Sequence, residues 1–367
     1  MNSELLYRLA LTLVPNVGDV QAKILVNHFG DATSVFKAKK SSLEKIEGIR
    51  EPGATSIKDF NDFHLAEQEL KFIEKYKIKT LFLTDPDYPK RLLNCYDSPT
   101  LLFYKGSADL NASRILAIVG TRSNTEYGKQ FTEQLVQELS EEDILIVSGL
   151  AHGIDAIAHK AALKNNLLTV GVVGHGLDKV YPYENTNLAK EMIKEGGGLL
   201  TEFFSGSKPD KHNFPLRNRI VAGVSDATIV VETKIEGGSM ITAKLADAYN
   251  RDVFAVPGRT SDKASSGCNH LVKYNKAILL TDAEELLEIL GWKERKKDKK
   301  KQQKELFIEL SPEERKIVDL LQAKETVHID EINLQSGLSS STAAAAILNL
   351  ELQNVIASLP GKMYKLL

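Results

Sequence analysis

Residues 114–163 read RILAIVGTRSNTEYGKQFTEQLVQELSEEDILIVSGLAHGIDAIAHKAAL. Ile115–Val119 is an unbroken apolar run that stops at Gly120. The polar loop that follows carries Arg122 before Gly128 opens an amphipathic helix. Ile144–Val147 repeats the pattern, ending at Ser148-Gly149, and the loop LAHGID feeds a helix over Ala156–Leu163. Strand, glycine loop and helix, twice over, predict two neighbouring parallel strands. Their loops then lie together at the carboxyl ends of the strands, where open α/β sheets bind ligands. Helix N-termini present unpaired amides and a positive dipole end, so the ligand expected there is an anion, phosphate above all.

Downstream, the alternation continues to about Trp292. The apolar runs LLTVGVV, LLTEF, ATIVVE, DVFAVPG and AILLT alternate with helical stretches YPYENTNLAKEMIKEGG, NFPLRNRIVAGVS, GGSMITAKLADAYN and DAEELLEILGW. None of the strands alternates apolar with polar residues, so both faces are buried and the sheet is mainly parallel under two layers of helices. This is an α/β, doubly wound domain, expected over residues 78–292. Within it, residues 78–113 hold short strands at Thr80–Leu83 and Leu101–Tyr104. Pro86, Pro89 and Pro99 interrupt helix there, and the segment is expected to flank the sheet.

Upstream, residues 1–77 read as all helical. PNVGDVQAKIL is helix, glycine turn, helix, and LEKIEGIREPGATSIKDF is a weaker copy. The pair resembles a helix-hairpin-helix module, whose turn amides can meet a DNA phosphate; a helical packing module is the alternative. Residues 293–305 form a basic tether, with eight Lys and Arg in Lys293–Lys304. Residues 306–367 form a small separate domain. Ser311 caps a first helix with Pro312 at its first position, HIDEINLQSG is a second, LSSSTAAAAILNLELQN a third, and VIASLPGKMYKL a hairpin turning at Pro360-Gly361. Three helices and a β-wing make a winged helix. A DNA-reading third helix needs basic or amide side chains. Here it opens with Ser339–Thr342 and four alanines, which favours a protein-contact or auxiliary role.

The bulk composition excludes several classes. A net charge of -2 over 367 residues exerts no global pull on nucleic acid, so any such affinity comes from a local patch. Two cysteines, Cys95 and Cys268, without CxxC spacing suggest reduced thiols in a cytoplasmic protein. The start MNSELLYRLAL lacks signal-peptide features, and no uncharged apolar run approaches the ~20 residues of a membrane span.

Four glycine-centred loops follow strands: Gly120–Ser123, Ser148–Gly153, Gly174–Gly176 and Glu236–Thr242. Together they predict a ligand trough on one sheet edge. KHNFPLRNRIVAGVSDA adds Lys211, Arg217 and Arg219 within nine residues, beside Phe214 and Asn218. Cations next to an aromatic suit a single strand, whose backbone the charges follow and whose base the ring stacks. One of Arg217 and Arg219 is expected to pair instead with an acid such as Glu202 or Glu232. Arg122 is the sharpest single candidate, a guanidinium fork in the first loop. His152, Asp155 and His159 share a helix face, but no third metal ligand is evident, and His159 reads as packing. Glu202 and Glu232 are the only acids placed for catalysis, and no nucleophile has a base.

The ordered motifs YPKRLL, DSPTLLFYKG, AIVGTR, SGLAHGIDAIAHKAAL, TVGVVGHGLDKVYPYEN, GGLLTEF, NFPLRNRIVAGVS and VFAVPG resemble the DprA/Smf family of DNA-processing proteins of natural transformation. The resemblance covers nearly the whole chain. It implies an extended Rossmann-like domain, with an N-terminal helical (helix-hairpin-helix or SAM-like) domain and a winged-helix tail as common extensions. Family members are not known as enzymes. They bind and protect incoming single-stranded DNA, load a RecA-type recombinase onto it and work as homodimers. Carried over, the DNA-binding residues are Gly120, Thr121, Arg122, Ser148, Gly149, Ala151, Lys211, Phe214, Arg217, Asn218, Gly238 and Ser239. No catalytic residue, metal, cofactor or membrane contact is implied.

This chain departs from the family pattern at three places. Gly237-Gly238-Ser239 lacks the first serine of the family's SGS loop, Asn275-Lys276-Ala277 replaces a usual GA, and His152 stands where Arg is common. A nucleotide-metabolising enzyme is the other class: EGGSMITAK resembles the PGGxGTxxE loop of nucleoside-monophosphate phosphoribohydrolases. The catalytic glutamate of that loop is here Lys244.

Overall fold

The computed structural model of the chain describes residues 3–293, 310–324, 326–353, 355–359 and 362–366. The tether expected over 293–305, Lys293 apart, and the Pro360-Gly361 turn lie outside them. The chain divides into two compact units, Met1–Lys293 and Glu294–Leu367.

The first unit is built on a nine-stranded sheet: β1 Lys79–Phe82, β2 Leu101–Gly106, β3 Ile115–Val119, β4 Leu145–Ser148, β5 Thr169–Val172, β6 Gly198–Thr201, β7 Ala227–Val230, β8 Asp252–Ala255 and β9 Ile278–Leu279. Their order is β1-β2-β6-β5-β4-β3-β7-β8-β9. From β6 to β9 every pairing is parallel, while β2 joins β6, and β1 joins β2, antiparallel. The chain winds outward from β3 through β4, and in the opposite direction from β7 through β8. The crevice between the carboxyl ends of β3 and β7 is therefore the switch point at which doubly wound sheets bind ligands.

The continuous apolar strands have the reason anticipated for them. Ile115, Ala117 and Val119 face one core, shared with Ile220, Val221 and Val224 of the helix Asn213–Val224 and Ala243 and Ala246 of the helix Gly238–Ala248. Leu116 and Ile118 face the other core, with Leu135 and Val136 of the helix Glu126–Glu138 and Ile154 and Ala158 of the helix Ile154–Lys164. Each side chain of β3 is thus removed from water on one face or the other.

The N-terminal helices Ser3–Leu11, Asp19–Phe29, Ala32–Lys37, Lys40–Leu43, Glu51–Asp59 and His64–Tyr76 close around Leu9, Leu25, Leu43, Ile57 and Leu70. This core continues into Phe82, Leu101 and Phe103 on the outer strands. The turn before Asp19 faces the sheet. Asp19 Oδ1 accepts from Thr100 N and Thr100 Oγ1, both at 2.8 Å, and Lys23 Nζ donates to Leu93 O at 2.5 Å and Cys95 O at 3.1 Å.

The second unit is a winged helix. Helices Pro312–Ala323, Ile329–Ser336 and Ser340–Leu352 pack on β10 Val327–His328, β11 Ile356–Leu359 and β12 Met363–Leu366 around Ile317, Ile332, Ile347 and Leu350. Ser311 Oγ accepts from Glu314 N at 3.2 Å, and the Glu314 carboxylate accepts from Ser311 N at 2.8 Å, closing a capping box. The solvent side of the third helix carries Ser341, Ala344, Ala345, Leu348 and Leu352; the helix has no Lys or Arg, and its one charge is the half-buried Glu351. Among the described residues no helix is long and apolar enough to cross a membrane.

Candidate nucleic-acid interface

At the switch point the loops lock onto one another. After β3, Thr121 N donates to Glu232 O at 2.7 Å. The Glu232 carboxylate in turn accepts from Thr125 N at 2.9 Å and Thr125 Oγ1 at 2.5 Å, where Thr125 caps the helix Glu126–Glu138. Gly128 permits this approach: a Cβ there would stand 2.4 Å from a Glu232 oxygen. Gly153 joins the first two loops. Its φ is +76°, and a Cβ would stand 2.2 Å from Thr121 O, whose partner is Ile154 N.

In the loop after β4 the amides of Gly149 and Ala151 are taken inside the fold, where the sequence pattern predicts them on phosphate. Asp155 Oδ2 accepts from Gly149 N at 3.1 Å and Ala151 N at 3.3 Å. Arg217 Nη1 donates to Gly149 O and Val172 O, and Asn185 Nδ2 to Leu150 O at 2.9 Å. Burial pushes the Asp155 carboxyl up, while Arg217 and the amides pull it down. Burial also holds Arg217 down to about 10, against Asp155, with the Arg122 charge adding to the lowering. This pair braces the loop from beneath.

The carboxyl edge above is a trough of about 1040 Å³. Eleven of the twelve residues carried over from the family resemblance line it: Gly120, Thr121, Arg122, Gly149, Ala151, Lys211, Phe214, Arg217, Asn218, Gly238 and Ser239. Ser148 does not; it is wholly buried, with its hydroxyl on Ile118 O at 2.6 Å. Arg217 reaches the wall but is 4% exposed and engaged inward. Arg122 and Lys211 are exposed. Arg219, as expected for one of the two arginines, pairs with acids inside the fold, Glu202 and Asp19. Both acids once placed for catalysis thus hold structure: Glu232 a helix cap, Glu202 an arginine.

Three residues were not singled out from the sequence. Lys208 and Lys234 line the trough and are exposed, and Tyr181 stacks on Phe214 at 5.9 Å and 30° between planes. Lys208 was within reach, three residues before Lys211; nothing local marks Tyr181 or Lys234. The Arg122 guanidinium stands 5.3 Å from the Phe214 ring centroid. With Arg122, Lys208, Lys211, Arg217 and Lys234 against the single acid Asp155, the wall is strongly positive in a chain whose net charge is -2. Ser239 Oγ, at the start of the helix Gly238–Ala248, is buried with no partner among the described residues. The first amides of that helix have no carbonyl to bond within it.

His152 and His159 do not converge with Asp155 on a metal. His152 is exposed, 3.7 Å from a Glu184 oxygen, and no group of three or more metal-ligating side chains occurs among the described residues. His159 has no exposed surface. The Thr169 hydroxyl donates to Ile146 O at 3.0 Å, so His159 Nδ1–H donates to Thr169 Oγ1 at 2.6 Å, and Nε2 is a buried acceptor without a partner. Burial first, and the Arg217 charge second, bring its pKa down to about 3. The unfolded chain takes up this proton below pH 6.5 and the folded chain does not. The stability this group confers is therefore present above pH 6.5 and lost as pH falls toward 3, at about 1.4 kcal/mol per unit. His159→Gln is expected to flatten that acid limb in denaturant titrations between pH 6 and 4; parallel limbs in parent and variant would refute the assignment.

Comparison with known proteins matches two family models: DNA recombination-mediator protein A over residues 79–291 and DprA winged helix domain over residues 302–362. Protein Smf of Synechocystis sp. is 34% identical over 400 residues, 99% of each chain. DNA processing protein DprA of Streptococcus pneumoniae is 41% identical over 244 residues, 66% of this chain and 83% of that one. The X-ray structure of the Streptococcus pneumoniae protein superposes with a TM-score of 0.65 at 35% identity, over 78% of this chain and 97% of that one. DNA processing protein A of Helicobacter pylori, solved for its unique single-stranded DNA binding mode, superposes with a TM-score of 0.53 at 32% identity, over 59% and 96%.

Proposed function

The chain belongs to the DNA recombination-mediator protein A (DprA/Smf) family, and from that premise we propose that its switch-point trough binds single-stranded DNA. The observation that carries this reading is the wall itself: five cations to one acid, gathered around Phe214 and Tyr181. A mononucleotide would occupy only one end of a trough this size; a polymer can set successive phosphates against Arg122, Lys208, Lys211 and Lys234. An aromatic recessed among cations accepts a base only after it has left its stack, which a single strand allows and a duplex opposes. The carried-over residues divide by role. Arg122, Lys211, Phe214, Asn218, Gly238 and Ser239 face the strand, and Gly120, Thr121, Ser148, Gly149, Ala151 and Arg217 hold the wall beneath it.

Protection of incoming DNA during natural transformation, dimerisation in the cytoplasm and hand-over to a RecA-type recombinase complete the proposal, supported by family membership. The reading contains no chemical step, since Glu202 and Glu232 are taken up by Arg219 and Thr125. With four exposed cations on the wall, the affinity for an oligo-dT is expected to fall with salt at a log–log slope of about 2–3, ~0.7 for each phosphate contact. An affinity indifferent to salt would overturn the trough as the site. Faster nucleation of a RecA-type recombinase on strands carrying the protein tests the hand-over; no acceleration would remove that step and leave the binding reading standing.

A further inference from the structure

The segment that presents the lysines and Phe214 to the trough is held from behind by the N-terminal helices. Glu69, on the helix His64–Tyr76, is 3% exposed. Its Oε2 accepts from Ser205 N at 2.9 Å and Ser205 Oγ at 2.5 Å. Next to this clamp, Phe204 packs edge-on against Phe103, 5.4 Å between centroids, and joins the core of the helices. Gly206 N is held by Asp178 Oδ1 at 2.9 Å. Lys208, Pro209 and Lys211 of the trough wall follow within six residues of Ser205. At the other end of the segment, Arg219 Nη2 donates to Asp19 Oδ2 at 2.9 Å and to Glu202. Residues 202–219 are thus fastened at both ends to residues 19 and 69 of the helical bundle, and between the fastenings Lys208, Lys211, Phe214 and Asn218 reach the trough.

We infer that Glu69 is a positioning residue for the DNA site: through Ser205 it fixes where Lys208 and Lys211 stand. The inference rests on the trough reading given above. The sign of its effect sets it apart from electrostatics at a distance. Removing an acid near a polyanion's path should by itself tighten binding, because repulsion is relieved. Positioning requires the reverse, since the loop loses its anchor and the lysines lose their register. The effect is also local. Arg122 sits on the loop after β3, which among the described residues makes no hydrogen bond to Glu69 or Ser205, so its share of binding persists.

The test uses the full chain, an oligo-dT and a salt series, on the parent, Glu69→Ala, Glu69→Gln, the double variant Lys208→Ala/Lys211→Ala, and that pair combined with Glu69→Ala. Glu69→Ala is expected to weaken binding about fivefold, at the low end of couplings between sites. Its salt slope should drop by roughly 0.7–1.4, the share of two lysines. Glu69→Gln should recover most of the loss, because an amide oxygen still accepts from Ser205. In the lysine-free background Glu69→Ala should add nothing, the signature of a shared pathway. Tighter or unchanged binding by Glu69→Ala, or an equal loss in both backgrounds, would overturn the inference. Should Glu69→Ala fail to fold, Ser205→Ala removes the hydroxyl half of the clamp, and the same dependence on the lysines is required of it. If the lysine pair and Arg122→Ala all bind like the parent, the trough reading falls; if they lose affinity and Glu69→Ala does not, only the positioning role falls.

Discussion

Arg122→Ala is expected to weaken binding of single-stranded DNA by about 10- to 100-fold while leaving the unfolding midpoint within error of the parent. The affinity term follows from the bond being removed. A charge-assisted hydrogen bond from a guanidinium to phosphate contributes about 1.5–3 kcal/mol, and 1.4 kcal/mol is tenfold. The stability term follows from what Arg122 touches. Its side chain is exposed, and its described contact is the face of Phe214, 5.3 Å away, a cation–π pair of about 0.5–1 kcal/mol at such a site. Arg122→Lys should recover part of the affinity: the charge remains, but the planar fork that grips two phosphate oxygens does not. Equilibrium titrations with the parent and both variants check this. Equal affinity of parent and alanine variant would remove Arg122 from the site.

Arg217→Ala is expected to do the opposite, lowering stability by about 3–5 kcal/mol as the removal of one partner from a buried charge pair does. Arg217 is 4% exposed; its Nη1 donates to Gly149 O and Val172 O, and the buried Asp155 carboxylate stands beside it. Without the guanidinium, two carbonyls lose their donor and Asp155 keeps its amides but loses its countercharge. For a unit of this size the midpoint should fall by roughly 5–15 °C. DNA affinity measured well below that temperature should change less than in Arg122→Ala. A variant as stable as the parent would show that Asp155 is compensated elsewhere. Arg122 and Arg217 line one trough, yet one is expected to serve the ligand and the other the wall.

That division could not have been made from the sequence. Arg217 and Arg219 sit two residues apart in NFPLRNRIV, and their fates depend on partners 68 and 200 residues away, Gly149 and Asp19. The doubly wound sheet was legible because its signal is local. Runs such as ILAIV (Ile115–Val119) and ILIV (Ile144–Val147) are apolar throughout only when both faces are covered, and Gly120 and Gly149 mark their carboxyl ends. The convergence of the loops followed from that topology, which is why eleven of the twelve carried-over residues line the trough. The state of the loops was not legible: the amides of Gly149 and Ala151 are taken by Asp155, a use that depends on how the following helix turns. Nor did anything in HLAEQELKF mark Glu69, whose partner Ser205 lies 136 residues on. Tyr181 came to Phe214 by the same long-range packing. Aromatic stacking partners and buried carboxylate clamps are properties of the assembled fold, not of a sequence window.

The measurement that tests the central claim most directly is an equilibrium titration of the full chain with a single strand and with a duplex of equal length, at one salt concentration, beside the same titrations of Phe214→Ala. The trough reading predicts that the single strand binds at least tenfold more tightly. It also predicts that Phe214→Ala removes most of that preference, because the stacking of an exposed base, worth about 1–3 kcal/mol, is what a duplex cannot supply. Equal affinity for the two forms, or a preference that survives Phe214→Ala, would contradict it.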